Sequence, residues 1–189
     1  LDKEGRWPWP RSKMASLVNI LSQDGAKVIG FDIGFLEPDE NSLLQFINQF
    51  GQKIDALDIR DTRLNDLMKE NKENADNDLA LARAIRNSSS NVVLGYFFHM
   101  SQAELDYRID QKEIDKQSER ISASKYPFVI SDDPRMESFP FPKAYAPESN
   151  LDILSEATSF AGFFTLAADY DGVVRWMPLI IQCGENLYP

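Results

Sequence analysis

Residues 27–35 read KVIGFDIGF, from Lys27 to Phe35. A nearly continuous apolar run of this kind, following a helical pattern, is how a strand covered on both faces reads. Glu37-Pro38-Asp39 ends it. A second such run, VVLGYFF, spans Val92 to Phe98. Helical patterns precede both. Before the first, Met14, Leu17, Val18 and Leu21 recur at helical spacing within Arg11 to Asp24. Pro10 suits a first helical position, and Gly25 suits the residue just past the end. Before the second, Ser42 to Phe50 predicts a short helix with Leu43, Phe46, Ile47 and Phe50 on one face. Asp78 to Arg86 predicts another, with Asn87 to Ser90 as its exit loop. Helix, strand, helix, strand implies βαβ units, a parallel sheet and a right-handed crossover.

Away from this core the patterns weaken. Lys53 to Asn77 is dense in charge and reads as an exposed excursion, partly helical. Gln102 to Ser122 is strongly charged, with only Leu105, Tyr107, Ile109, Ile114 and Ile121 for contacts, and predicts a solvated helix outside the core. Tyr126 to Ile130 predicts a short strand. Asp132 to Pro147 holds four prolines and predicts a structured loop. Ser149 to Glu156 supports one or two helical turns. Phe160 to Ala167 and Val173 to Ile181, joined by Asp171-Gly172, predict a β-hairpin at 160–181. The expected fold class is therefore α/β: a single domain over 1–189, with a parallel βαβ core, an antiparallel C-terminal hairpin and helices covering the mixed sheet. The stretches 53–77 and 101–122 are its exposed charged excursions.

Composition narrows the function. Twenty Lys and Arg against thirty Asp and Glu leave a net charge of −10 in 189 residues. An acidic chain argues against nucleic acid, whose affinity comes from neutralised phosphates. It argues equally against an anionic membrane surface. One cysteine, Cys183, excludes an internal disulfide and a multi-cysteine zinc site, and leaves the redox compartment open. One histidine, His99, weighs against histidine-based metal sites and Ser-His-Asp catalysis. No apolar run approaches the roughly 20 residues of a membrane helix. The first residues, LDKEGRWPWPR, are not a signal peptide and lack an initiating Met, so the chain reads as a piece of a longer protein. No P-loop or dinucleotide fingerprint occurs, and no cofactor is expected.

Among residues able to carry a site, Arg11 comes first. A cation in a helix's first turn opposes the macrodipole by roughly 0.3–1 kcal/mol, so it calls for a carboxylate partner or an anionic ligand. Trp7-Pro8-Trp9-Pro10 before it reads as a packed lead-in, with indoles over the helix start. Asp32 interrupts the apolar run of an interior strand, near its C-terminal end, where parallel sheets place ligand crevices. It is either paired structurally, with Arg11 as the natural partner, or part of a site. Gly30 and Gly34 share its face by alternation and admit a close-packed helix or a ligand. Asp169-Tyr170-Asp171-Gly172 reads as a turn rather than half a calcium loop, because Ile180 stands where the loop's Glu would be. Arg175 either bridges Asp169 or faces a pocket. Asp132-Asp133-Pro134 reads as a turn. His99 and Cys183 read as satisfied structural residues.

Taken together, GRWPWPR (Gly5 to Arg11), GAKVIGFDIGFLEPD (Gly25 to Asp39), NVVLGYFF (Asn91 to Phe98), GFFTLAADYDGVVRWMPLI (Gly162 to Ile180) and LYP (Leu187 to Pro189) resemble the second class of CHASE domains, the cyclase/histidine-kinase-associated sensory extracellular domains. The resemblance implies a bacterial sensory input domain outside the cytoplasmic membrane, periplasmic or extracellular. It implies membrane tethering in the intact protein and a cyclase or kinase output in the same chain. Members begin with a strand and an I-D-x-x-S-L segment, of which only Leu1 is present here, so trimming at both ends is expected.

The expectation is a non-enzymatic sensor that binds an unidentified small ligand or ion through Arg11, Asp32, Arg175 and Trp9, with no metal site. A homodimer is a further expected partner state. The alternative is a protein-interaction or dimerisation module without a small ligand. A metal-dependent hydrolase built on Asp32, Asp169 and Asp171 is the weakest reading, lacking histidine support.

Overall fold

The structure, a computed structural model, describes residues 7–105, 109–130, 141–166 and 170–189. The fold is mixed α/β, with two sheets that combine parallel and antiparallel strands. The chain divides into two compact units, one made of 1–27 and 37–90, the other of 28–36 and 91–189.

The first unit is helical. Helix α1 (Arg11–Gln23) buries Met14, Ala15 and Val18. Gly25 stops it at φ +84°, where an L side chain would be strained. The Gly25 N–H returns to the Ser22 carbonyl and the Ala26 N–H to Leu21, so two otherwise orphaned carbonyls are satisfied. Helix α2 (Ser42–Ala56) runs past the predicted end at Phe50, because Ile54 adds a buried residue two turns beyond Ile47. Its N-cap, Asn41, accepts from the Leu43 and Leu44 N–H groups. Helix α3 (Thr62–Ala75) buries only Ala75 among its residues, and Asp61 caps it. Helix α4 (Asn77–Asn87) buries Leu81, Ala82, Ala84 and Ile85, and packs against α1. Ser22 and Ser89 join the far ends of α1 and α4 through their hydroxyls, 2.8 Å apart.

The second unit holds the sheets. Strands β1 (Val28–Gly30) and β2 (Asn91–His99) pair in parallel, Ile29 opposite Val92. The parallel expectation holds, but β1 ends well before Phe35. The Phe31 N–H still reaches the Val93 carbonyl at 2.9 Å. Farther on, Phe35 takes its partners from Asn150 and Leu151 instead of β2. Strand β5 (Phe160–Phe163) pairs in parallel with the other part of β2, Gly95 opposite Gly162. The expected hairpin at 160–181 is therefore corrected. Its first arm is spent on β2, and 173–180 joins no ladder with the other described residues. Strand β4 (Ala146–Glu148) meets the end of β2 antiparallel, preceded by β3 (Lys143–Ala144). The C-terminal antiparallel hairpin is instead β6 (Ile181–Cys183) with β7 (Asn186–Tyr188). Gly184 turns it at φ +58°, as the first position of a two-residue hairpin loop requires.

Tyr96, Phe98, Ile121, Phe163, Ile181 and Tyr188 form this unit's core. Phe98 meets Tyr96, Phe163 and Tyr188 with ring centroids 5.4, 5.9 and 5.6 Å apart. The charged stretch after β2 is not one solvated helix. A 3₁₀ turn (Gln102–Glu104) comes first, then α5 (Gln111–Arg120) packs beside β4 and buries Ile114, and Ile121 enters the core. Tyr126 to Ile130 forms no strand, although the Tyr126 N–H bonds the Leu187 carbonyl. Helix α6 (Asp152–Ser155) supplies the predicted helical turn. Tyr107, Asp169 and Asp132-Asp133-Pro134 lie outside the described residues.

Candidate functional site

Arg11 opens α1 with Pro10 at the N-cap, a residue with no side-chain oxygen to offer. Asp39, from the end of the first apolar stretch, fills that role. Its Oδ2 accepts the Arg11 backbone N–H at 3.3 Å, so a carboxylate sits at the positive end of the helix. The Arg11 side chain turns to the same place. Its Nη2 donates to the Glu37 carbonyl at 3.1 Å, Nη1 stands 4.0 Å from Asp39 Oδ1, and Nε stands 3.5 Å from Asp78 Oδ1. Asp78 lies in the first turn of α4 and accepts the Asp39 N–H at 2.9 Å. Asn77 Nδ2 donates to Asp39 Oδ2 at 2.6 Å. The three charged side chains are largely withdrawn from solvent, 16% exposed for Arg11, 11% for Asp39 and 13% for Asp78.

Two carboxylates around one guanidinium carry an excess negative charge when all are ionised. Burial raises the Asp78 carboxyl above its ordinary 3.8, against the pull of the Asp39 N–H and of Arg11. Chemically the cluster is suited to retaining a proton or meeting a cationic group. An anion reaching Arg11 would have to displace one of its carboxylates. The sequence marks Asp39 only as a strand end and Asp78 only as a helix start, not as site residues. The only signals were an Asp closing a Pro-flanked turn and the Asp76-Asn77-Asp78 triplet at a helix start.

Trp9 belongs to the same unit. It is half-buried, with its ring centroid 6.3 Å from that of Trp7 and Lys13 Nζ 5.3 Å from its centre. Lys13 thus shares the indole with the helix start, as a cation–π contact.

Asp32 and Arg175 belong to the second unit. Asp32 follows β1 and is exposed, not buried in a strand as its apolar neighbours predict. The chain has already left the ladder there, so the carboxylate is hydrated. Among the described residues it makes no hydrogen bond or ion pair. Gly30 faces open space, and a Cβ at Gly34 would meet Leu36 at 3.1 Å. Arg175 is exposed and holds Asp171 in a two-pronged pair, Nη1 to Oδ1 at 2.9 Å and Nη2 to Oδ2 at 2.7 Å. Asp171 also accepts the Val173 N–H at 3.1 Å. Arg175 first, and then that N–H, hold the Asp171 carboxyl below its ordinary 3.8.

Two concave surfaces of the second unit escaped the sequence reading. One, of about 360 Å³, is polar and lined by Lys116, Glu119, Arg120, Asp152, Ser155 and Glu156. Arg120 and Lys116 both hold Asp152 there, and Arg120 contributes most to lowering its carboxyl below 3.8. The other, of about 390 Å³, is apolar and lined by Phe141, Pro142 and residues 176–180. No group of three or more His, Cys, Asp or Glu side chains among the described residues is placed to hold a metal ion. His99 is nearly buried and pairs with Glu148, Nε2 to Oε2 at 2.7 Å. Cys183 borders the core, and burial pushes its thiol up from 9.0. No helix of the described residues is long and apolar enough to cross a membrane.

A family model described as the CHASE2 domain matches residues 1–189, the whole chain. No curated protein and no solved structure matches it.

Proposed function

This chain belongs to the CHASE2 domain family, a family of extracytoplasmic sensory domains in signalling proteins, and from that membership we propose that it is the ligand-sensing input domain of a membrane-tethered receptor. The match over 1–189 carries the reading. In the proposal the whole chain works as one sensor domain, without catalysis, outside the cytoplasmic membrane. A cyclase or kinase in the same protein supplies the output. Binding shifts an equilibrium between two states, by no more than the ligand's differential affinity for them.

Charge supports a ligand class. Arg11 and Arg175 already face carboxylates of their own units, whereas Asp32 is an exposed carboxylate with no ionic partner among the described residues. A small ligand bearing a cationic group, or a cation itself, therefore suits these residues better than an anion. Asp32 is the proposed direct contact. Trp9 and Arg11 in one unit and Arg175 in the other are the remaining candidates.

A thermal-shift screen of amines, divalent cations and carboxylate anions tests this. A specific ligand at about 100 times its Kd stabilises by roughly 2.7 kcal/mol. The expected result is a cationic hit that Asp32→Asn abolishes. Hits confined to anions, or a cationic hit unaffected by Asp32→Asn, Arg11→Ala and Arg175→Ala alike, would overturn the assignment. A second reading, an interaction module, is favoured by one observation, the exposed apolar side chains of Val173, Val174, Trp176, Met177 and Leu179.

A further inference from the structure

Helix α2 carries more apolar surface than its own unit covers. Ile47 and Ile54 are buried, and a Cβ at Gly51 would meet the Met68 side chain of α3 at 3.7 Å, so this side of the helix is the packed one. Beside it runs a second row, Leu43, Phe46, Phe50 and Leu57, in which Leu57 is the residue that ends the helix. These four are open to solvent, 57%, 63%, 46% and 72% exposed. Phe46 and Phe50 stack on each other, with ring centroids 6.2 Å apart and planes 9° from parallel. With Lys53 between Phe50 and Leu57, the row alternates steps of three and four residues, the seam of a two-stranded coil. Charge is absent from most of it. No Lys, Arg, Asp or Glu occurs from Asn41 to Gln52, in a chain with twenty basic and thirty acidic residues. A helix face meant for water is ordinarily polar or charged.

We propose that this row is a homodimer face, on which α2 of a second copy of this chain lies antiparallel about a two-fold axis. It gives the expected homodimer a specific surface, and it stands whether or not Asp32 binds a cation. Area and charge select a second copy. The four side chains present on the order of 450 Å² per copy. With Gln49 and Lys53 beside them, two such faces bury on the order of 1,000 Å², the floor for a specific interface. A two-fold axis brings the row to itself, so each copy covers what the other leaves open. Two chains of net charge −10 then meet where neither brings a carboxylate into the row. A basic partner would find no acid along it, and an acidic one only Lys53.

Lys53 sets the direction. In a parallel pair it would face the Lys53 of the other copy within the seam, like charge against like. In an antiparallel pair with the axis level with Asn48, Phe46 of each copy lies opposite Phe50 of the other, and Leu43 opposite Lys53. The centre is then an aromatic layer on both sides of the axis. Glu40, exposed just ahead of α2, brings an opposite charge towards the Lys53 ammonium of the other copy. Neither Glu40 nor Lys53 has an ion-pair partner among the described residues of its own chain.

Sedimentation equilibrium of the 189-residue chain tests the proposal. Wild type is expected to dimerise reversibly, and Phe46→Glu to weaken the dimer at least about tenfold by burying two unpaired carboxylates in the seam. Phe46 is exposed within one copy, so an unchanged far-ultraviolet circular-dichroism spectrum for Phe46→Glu shows that the fold is retained. Cross-linking reports the same seam without added charge. Leu43→Cys and Lys53→Cys copies, each in a Cys183→Ser background, are mixed and oxidised. The 43–53 disulfide is expected between copies, and neither 43–43 nor 53–53. A wild-type chain that stays monomeric overturns the proposal. So does a dimer that Phe46→Glu leaves intact, or one that cross-links 43 to 43 and 53 to 53.

Discussion

The Asn150 side chain receives the Phe35 backbone N–H on Oδ1 at 2.8 Å, and its Nδ2 donates to the Gly95 carbonyl at 3.0 Å. The Leu151 N–H completes the clasp by donating to the Phe35 carbonyl at 2.9 Å. Asn150 is 2% exposed, so water cannot replace it. One amide thus ties the chain leaving β1 to the middle of β2. An unmade buried hydrogen bond costs about 1–3 kcal/mol. Asn150→Ala orphans two backbone groups and is expected to cost roughly 2–5 kcal/mol in urea unfolding. Asn150→Asp sets an acceptor against the Gly95 carbonyl and is expected to be at least as harmful. A loss under about 0.5 kcal/mol for either would show that the clasp contributes little.

Gly95 is the second constraint on this crossing. A Cβ there would lie 2.6 Å from the Phe31 carbonyl oxygen and 2.6 Å from the Phe164 ring. One contact is backbone, so it cannot yield by a rotamer change. Gly95→Ala is expected to destabilise by about 1–3 kcal/mol, the usual cost of overpacking. Gly172→Ala is the contrast. Open space surrounds it, so its cost comes from the φ of +79° alone, roughly 1–2 kcal/mol. Equal changes in m-value and midpoint for the two variants would refute the steric distinction.

Asp78 makes stability depend on pH in a definite sense. Burial is the largest influence on it, and its folded pKa lies above the ordinary 3.8. Between those two values the folded chain binds more protons than the unfolded one, so stability falls as pH rises through that window. Asp78→Asn removes this slope. The stability of wild type minus that of Asp78→Asn is expected to decrease from below pH 3.8 upwards and then level off. A difference that grows with pH would mean that Arg11 and the Asp39 N–H outweigh burial.

Asp171 shifts the other way, and at the surface. Its carboxyl is expected to titrate below 3.8 by NMR in wild type and to move back towards 3.8 in Arg175→Ala. The pair is solvent-exposed, so the variant should melt like wild type. A wild-type carboxyl titrating at its ordinary value would remove the pair from the account.

Some elements were legible because their causes are local. Helix α1 could be read from Met14 and Val18 at helical spacing, with Gly25 past its end. Strand β2 could be read as an apolar run buried on both faces. The partners of Arg11 could not, since Asp39 lies 28 positions away and Asp78 on another helix. Asn150, too, is an ordinary loop residue until Phe35 arrives, 115 positions apart in sequence.

By itself, the sequence determined the α/β class, the presence of parallel strands within 27–35 and 92–98 and the family, because periodicity, turn residues and short motifs act within a few residues of one another. Only the tertiary structure decided that β5 joins β2. It also decided that Asp39 and Asp78 neutralise Arg11 and that Asp32 stands in solvent. Those outcomes depend on which of several chemically suitable segments reaches a given edge or charge first in space. Hydrophobic burial is non-directional and does not encode that choice locally.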